Sequence, residues 1–214
     1  MNSNHPLHHL DAGNHPLPSD PREINAVLRA GRRCYAAHPY FIRRYGERGE
    51  AFTGSDGGYL VTLADNPQSY VDSQVTWLAG VLANRGMPRW LMEEHLVLLY
   101  EELSAMAPDR SADYGKLLKA AQVLREARLT WISQTEFDAL ASSFESLAED
   151  ELRNAGGLLV AAVCDECCGL AGAVPSLISW LGSAENFSPE WCDAVANTLQ
   201  RARALAAQKR GAPA

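Results

Sequence analysis

Three groups of residues have the types and spacing from which chemistry could be built. The run Cys164-Asp165-Glu166-Cys167-Cys168 brings three thiols together. On a helix, Cys164 and Cys168 stand one turn apart on one side, and Cys167 lies nearer the apolar stripe of Leu159, Val160, Val163 and Leu170. Thiolates are the soft donors that zinc, copper(I) and iron–sulfur clusters take, so Cys164, Cys167 and Cys168 are candidate transition-metal ligands. A tetrahedral site needs four donors, and one helical turn cannot surround a metal. His95 and Cys192 are the ordered candidates to complete it. Asp165 and Glu166 would raise the thiol pKa, which argues against a nucleophilic or redox role. The competing expectation is a buried structural cluster, because free cysteine is among the most buried residue types.

The second group is Glu93-Glu94-His95. His95 falls at the edge of the apolar stripe Met92, Leu96, Leu99, Leu103 and Met106, where it could face an internal pocket, with Glu102 two turns on. An imidazole so placed could bind a cofactor as an axial haem ligand. The Glu-x-x-His repeat that a ferritin-like di-iron site requires is absent.

The third group is the stretch Arg43-Arg44-Tyr45-Gly46-Glu47-Arg48-Gly49 through Gly54-Ser55-Asp56-Gly57-Gly58, expected to be a loop. Glycines leading into a helix can present N–H groups to an anion, and Arg43, Arg44 and Arg48 could bind a carboxylate or phosphate. An enzyme with an arginine-lined site at 43–58 is therefore one reading. The spacing matches neither the Walker nor the dinucleotide pattern, and Asp56 would repel an anion. The chain shows no Gly-x-Ser-x-Gly, no His-Glu-x-x-His and no glycosidase-like carboxylate pair, so the expectation leans away from an enzyme.

Helices must position all of these residues. Asp20-Pro21-Arg22-Glu23 is a helix start, with an acceptor side chain, proline at the first helical position and an acid in the first turn. His38-Pro39 restarts a helix, Ser55 or Asp56 caps a short one, and Asn66-Pro67 starts another that stops at Gly86. Pro88 begins the next almost at once, which predicts an αα-hairpin. Further helices are expected from Ser111, from the capping-box spacing Ser133-Gln134-Thr135-Glu136, around the cysteines, from Pro175 and from Pro189. Gly156-Gly157 marks either a helix end or a close approach of another backbone. No run alternates apolar and polar residues with β-branched enrichment, so strands are not expected. The fold expected is all-α, a single compact domain of about eight or nine helices over 20–211, built round the central hairpin. Residues 1–19, rich in histidine and proline, read as a flexible arm able to bind a transition metal weakly.

The hairpin carries more apolar surface than one contact needs. Val71, Val75, Leu78 and Leu82 match the stripe of the partner helix, and Tyr70, Gln74, Trp77 and Val81 form a second stripe beside them. A helix apolar over so wide an arc is either central or buried against another chain. Aromatic residues anchor interfaces, which makes Tyr70, Trp77, Val81 and Trp90 candidate contacts for self-association or for another protein.

Composition bounds the function classes. The 214 residues carry 26 acidic and 19 basic side chains, a net charge of −7, and 47% hydrophobic residues. A net acidic chain is a poor match to nucleic acid, whose phosphates need a basic face. Charge is uneven: residues 22–50 hold seven arginines against three glutamates, and residues 145–166 six acids against Arg153, an asymmetry that could orient a partner. The apolar stretch from Gly156 to Leu181 is interrupted by Asp165, Glu166 and Pro175, which argues against a membrane span. Five cysteines, an odd number, fit free thiols in the cytoplasm better than a disulfide framework. Together these features lead to the expectation of a non-catalytic, cytoplasmic helical interaction or regulatory domain acting as a homodimer or through a partner. No cofactor is called for by that reading; a sensor of haem, a transition metal or a small ligand, using His95 or the cysteine cluster, is the alternative.

Overall fold

A computed structural model of the chain describes residues 5–8, 15–147 and 152–211, and the fold is all-α. Among the described residues there are nine α-helices and no strand. They are α1 (Pro21–Ala37), α2 (Tyr40–Leu63), α3 (Gln68–Ala83), α4 (Arg89–Met106), α5 (Ser111–Leu129), α6 (Gln134–Glu145), α7 (Ala155–Cys167), α8 (Ala173–Leu181) and α9 (Pro189–Gly211). The start signals act as the sequence predicts. The Asp20 carboxylate accepts the Arg22 N–H at 2.8 Å. Ser133 and Glu136 form the reciprocal capping box at the start of α6.

The chain divides into two units. Unit 1 comprises residues 1–76 and 93–122, and unit 2 comprises 77–92 and 123–214. The division passes within α3, α4 and α5, which each contribute residues to both.

In unit 1, α1 packs on α2. The stretch 46–58, expected to be a loop, is helix. Only Gly46 leaves helical geometry, with φ 57° and ψ −153°, a left-handed value that glycine adopts without a Cβ penalty. The glycines that looked like loop residues instead allow close approach of other segments. A Cβ on Gly57 would lie 2.9 Å from Val27 Cγ1 of α1, and one on Gly58 would lie 2.7 Å from Leu17 Cδ2. Within the N-terminal arm, residues 1–4 and 9–14 lie outside the described residues, whereas Leu7 and Pro18 are buried, and both adjoin Gly58.

In unit 2, α7 is buried from Ala155 through Asp165 and packs against α6, α8 and α9. Its glycine pair marks a close approach, the second of the two alternatives: a Cβ on Gly156 would lie 2.6 Å from the Ala141 carbonyl oxygen, and one on Gly157 would lie 2.6 Å from the Trp90 ring. Trp90 also meets Phe137 edge to face at 5.3 Å. A second aromatic set, Trp180, Phe187, Trp191 and Phe144, closes the packing around α8 and α9.

The predicted apolar stripes of α3 and α4 are buried at Val71, Val75, Leu78, Met92, Leu96, Leu99 and Leu103. The second stripe of α3 is not. Trp77 is 60% exposed and Tyr70 47% exposed. Among the described residues no helix is long and apolar enough to cross a membrane.

Candidate functional site

Unit 1 sets a row of ion pairs where α1 faces α4. The two helices run antiparallel there, because His38 at the end of α1 bonds Glu94 near the start of α4, and Arg29 and Arg33 bond Glu102 two turns on. The His38 Nε2–Glu94 Oε2 distance is 2.5 Å. The buried Glu102 carboxylate accepts from Arg29 Nε at 2.7 Å and from Arg33 at 2.9 Å. Arg33 reaches Glu101 as well, at 2.8 Å. Below this seam, Glu23 accepts from Arg110 at 2.5 Å and from the Tyr114 hydroxyl at 2.7 Å.

His95 stands apart from this network. It is 7% exposed, and among the described residues neither ring nitrogen has a hydrogen-bond partner. Burial alone holds its pKa down at about 4, so the imidazole is neutral at pH 7. Nε2 faces Gly57 of α2, where an added Cβ would lie 3.5 Å away. An imidazole buried without a partner costs free energy that a hydrogen-bonded one does not, so its placement is a departure from ordinary packing. Cys34, one turn before His38 on α1, is buried, and its thiol is pushed up to about 12 by burial and by Glu94. It stays protonated at neutral pH, so Cys34, His38 and Glu94 do not form a working thiolate–imidazole pair.

The arginine group behaves differently from its sequence reading. Because 47–58 is helical, N–H groups beyond the first turn after Gly46 bond within α2 and are not turned to an anion. Arg44 lies over the rings of Tyr45 and Tyr40 at 5.1 and 5.7 Å and donates to the Tyr40 hydroxyl. Arg48 lies over Phe52 at 5.6 Å. Arg43 is exposed on the first turns of the same helix. Arg44 and Arg48 thus engage aromatic faces, a use for which the interleaved Tyr40, Tyr45 and Phe52 were the available signal.

Unit 2 separates the three clustered cysteines. Cys164 is buried, Cys167 half-buried and Cys168 exposed. Burial, with Asp165 beside it, pushes the Cys164 thiol far up. Cys168 accepts the Trp131 indole N–H at 3.2 Å. Among the described residues no group of three or more His, Cys, Asp or Glu side chains could hold a metal ion. The cluster's polar centre is instead a carboxylate that sequence reasoning treated only as an interruption. Asp165 is 3% exposed and accepts both the backbone N–H of Arg89 at 2.8 Å and its Nε at 2.6 Å. It thus caps the first residue of α4 and neutralises a buried guanidinium at once. Burial pushes the Asp165 carboxyl up, and Arg89 pulls against that shift. An acid inside an otherwise apolar helix was the signal that could have found this pair.

Of the expected interface residues, Tyr70 and Trp77 are exposed, Val81 is half-buried and Trp90 is taken up by Gly157 and Phe137. The helix that carries the first three, α3, has one charged residue, Asp72, whose carboxylate accepts from Gln68 at 2.7 Å. No protein-family model, no curated protein and no solved structure matches the chain.

Proposed function

We propose that the protein is a non-catalytic helical interaction module that self-associates through the exposed face of α3. The observation that carries this reading is Trp77, a large aromatic side chain 60% exposed on a helix with a single charged residue. Depletion of charge around exposed aromatic residues is what distinguishes the centre of an interface from ordinary surface. A symmetric dimer sets a patch against its own copy, so a patch without charge avoids the like-charge contact that a chain of net charge −7 would otherwise meet. Tyr70, two turns before Trp77, extends the same exposed side of the helix.

Sedimentation velocity over a concentration series of about 1 to about 200 μM, the range in which weak interfaces assemble, tests this. The expected result is a concentration-dependent dimer that Trp77→Ala weakens at least about tenfold, as an interface anchor does. The helical circular dichroism should be unchanged. A monomer at every concentration overturns self-association, and so does a dimer indifferent to Trp77→Ala.

A further inference from the structure

The chain carries one short repeat that the α3 reading leaves unused. Asn-His-Pro-Leu occurs at 4–7 and again at 14–17. The described residues of the two copies, His5-Pro6-Leu7 and His15-Pro16-Leu17, belong to unit 1. Both bring their leucine to the same residue of α2. A Cβ on Gly58 would lie 3.0 Å from Leu7 Cδ1 and 2.7 Å from Leu17 Cδ2, and one on Gly54, a turn earlier, would lie 3.7 Å from Leu7 Cδ2.

We infer that residues 54–59 of α2 are a recognition site for an extended His-Pro-Leu peptide, filled in this chain by its own two copies of that element and able to take the same element from another chain.

Repetition separates recognition from incidental packing. Leu7 and Leu17 stand ten positions apart, and each follows a His-Pro pair onto one glycine. The floor they share has no side chain of its own at Gly54 and Gly58, so a leucine can rest against the helix backbone. Beside that floor stands a polar anchor. Ser55 is buried, and its Oγ lies 3.0 Å from His15 Nε2. Tyr59 supplies an aromatic wall, its ring 5.3 Å from that of His15. Glycine floor, hydroxyl and aromatic ring thus meet leucine and histidine of the element in turn.

The prolines act on the peptide side. Proline fixes φ and removes an N–H, so residues 15–20 stay outside helix and reach α2 in extended form, with less chain entropy to lose on docking. The copies also hold one another. His5 donates from Nε2 to the Pro18 carbonyl at 2.9 Å and accepts the Leu7 N–H at Nδ1 at 3.2 Å. Leu7 is buried and Leu17 half-buried, so the second copy is the more peripheral and the one that an incoming peptide replaces.

A fluorescein-labelled synthetic peptide of residues 4–20, titrated with the full-length protein and followed by anisotropy, tests this. The variant Leu7→Ser/Leu17→Ser clears the floor and should bind the peptide. Wild type should bind it at least about tenfold more weakly, because its own copies compete at high effective concentration. Adding Gly58→Ala, whose nearest neighbours are Leu17, Leu7 and Pro18 of the arm, should abolish binding to the cleared variant. A peptide with both leucines replaced by serine should not bind. Circular dichroism checks that each variant keeps its helices. If the double variant loses them, Leu17→Ser alone, which leaves Leu7 in place, carries the same comparisons with the same results expected. A folded, cleared variant that binds nothing up to about 1 mM overturns the inference. Equal binding by wild type and variant overturns it too, as does binding indifferent to Gly58→Ala. Trp77 takes no part in these measurements, so their failure leaves the α3 reading standing.

Discussion

Asp165 in unit 2 and the pair Glu102 and His95 in unit 1 show opposite ways of treating a buried polar group. In unit 2, Asp165 and Arg89 are nearly sealed, with side-chain exposures of 4% and 10%, and the carboxylate is matched by two N–H donors. In unit 1 the buried acid Glu102 is held by Arg29 and Arg33, whose side chains are 56% and 45% exposed and lead out to water. Unit 1 also leaves His95 with no hydrogen-bond partner at either ring nitrogen among the described residues. A sealed, fully matched pair specifies one packing and is intolerant of losing either member. A pair that opens to solvent is screened and adaptable. An unpartnered imidazole is held in place only by what surrounds it. Around Asp165, unit 2 therefore has a fixed contact, whereas around Glu102 and His95 unit 1 has contacts that can be exchanged for water or for protons.

The largest expected effect tests that contrast head on. Arg89→Ala leaves the buried Asp165 without its guanidinium and with the backbone N–H of residue 89 alone of its two donors, and it should destabilise the protein by about 3–5 kcal/mol. Arg33→Ala leaves Glu102 with Arg29 and with access to water, and it should cost about 1 kcal/mol or less. Urea unfolding followed by circular dichroism measures both. Equal losses would mean that the apparent seal round Asp165 contributes nothing, and the contrast between units would fail.

The next effect is a pH dependence confined to His95. Its pKa is about 4 in the folded chain and 6.5 as the ordinary value, so the unfolded chain binds the proton more readily. Above pH 6.5 neither state is protonated and the group contributes no slope. As pH falls from 6.5 towards 4, the unfolded chain takes up a proton that the folded one refuses, and stability falls by up to roughly 3 kcal/mol. Below about 4 both states are protonated and the loss levels off. His95→Leu, which replaces the orphaned ring by an apolar side chain, should remove this slope and raise stability at pH 7 by about 1–3 kcal/mol. A variant that is destabilised at pH 7 would show that His95 has a partner in solution. The opposite signs expected for Arg89→Ala and His95→Leu follow from matching alone, since both side chains are buried.

How far the sequence disclosed these features depended on whether the determinant was local. Helix starts at Asp20, Ser133 and Pro189 are written in a few adjacent residues, and they were legible. So was the excess apolar arc of α3, because periodicity reports a face whatever meets it. The stretch 46–58 misled because glycine has two uses that look alike in sequence. It permits turns, as at Gly46, and it permits close approach, as at Gly57 and Gly58. Only the partners Val27 and Leu17 distinguish them, and they lie 30 and 41 positions away in the chain. Asp165 was visible as an oddity, but Arg89, 76 positions earlier, was not visible as its partner. His95 was picked out for its place on an apolar face. That its nitrogens find no hydrogen-bond partner among the described residues depends on what other helices bring to it, and no spacing within one helix encodes it.

The smallest expected effect asks whether the difference between units extends to helix ends. The capping box of α6 in unit 2 joins Ser133 and Glu136 in both directions, and Ser133→Ala should lower stability by about 1 kcal/mol. Asp20→Ala in unit 1 removes the corresponding bond to the Arg22 N–H and should shift the urea midpoint in the same direction. Asp20 and Ser133 are both half-buried, so the two losses should resemble one another far more closely than those of Arg89→Ala and Arg33→Ala. If Asp20→Ala proved the more damaging by a wide margin, the salt link from Arg22 to Asp109 would be contributing through Asp20. The exposed edge of unit 1 would then have to count among its fixed contacts, and the distinction between a sealed unit and an exchangeable one would hold only for the residues around His95.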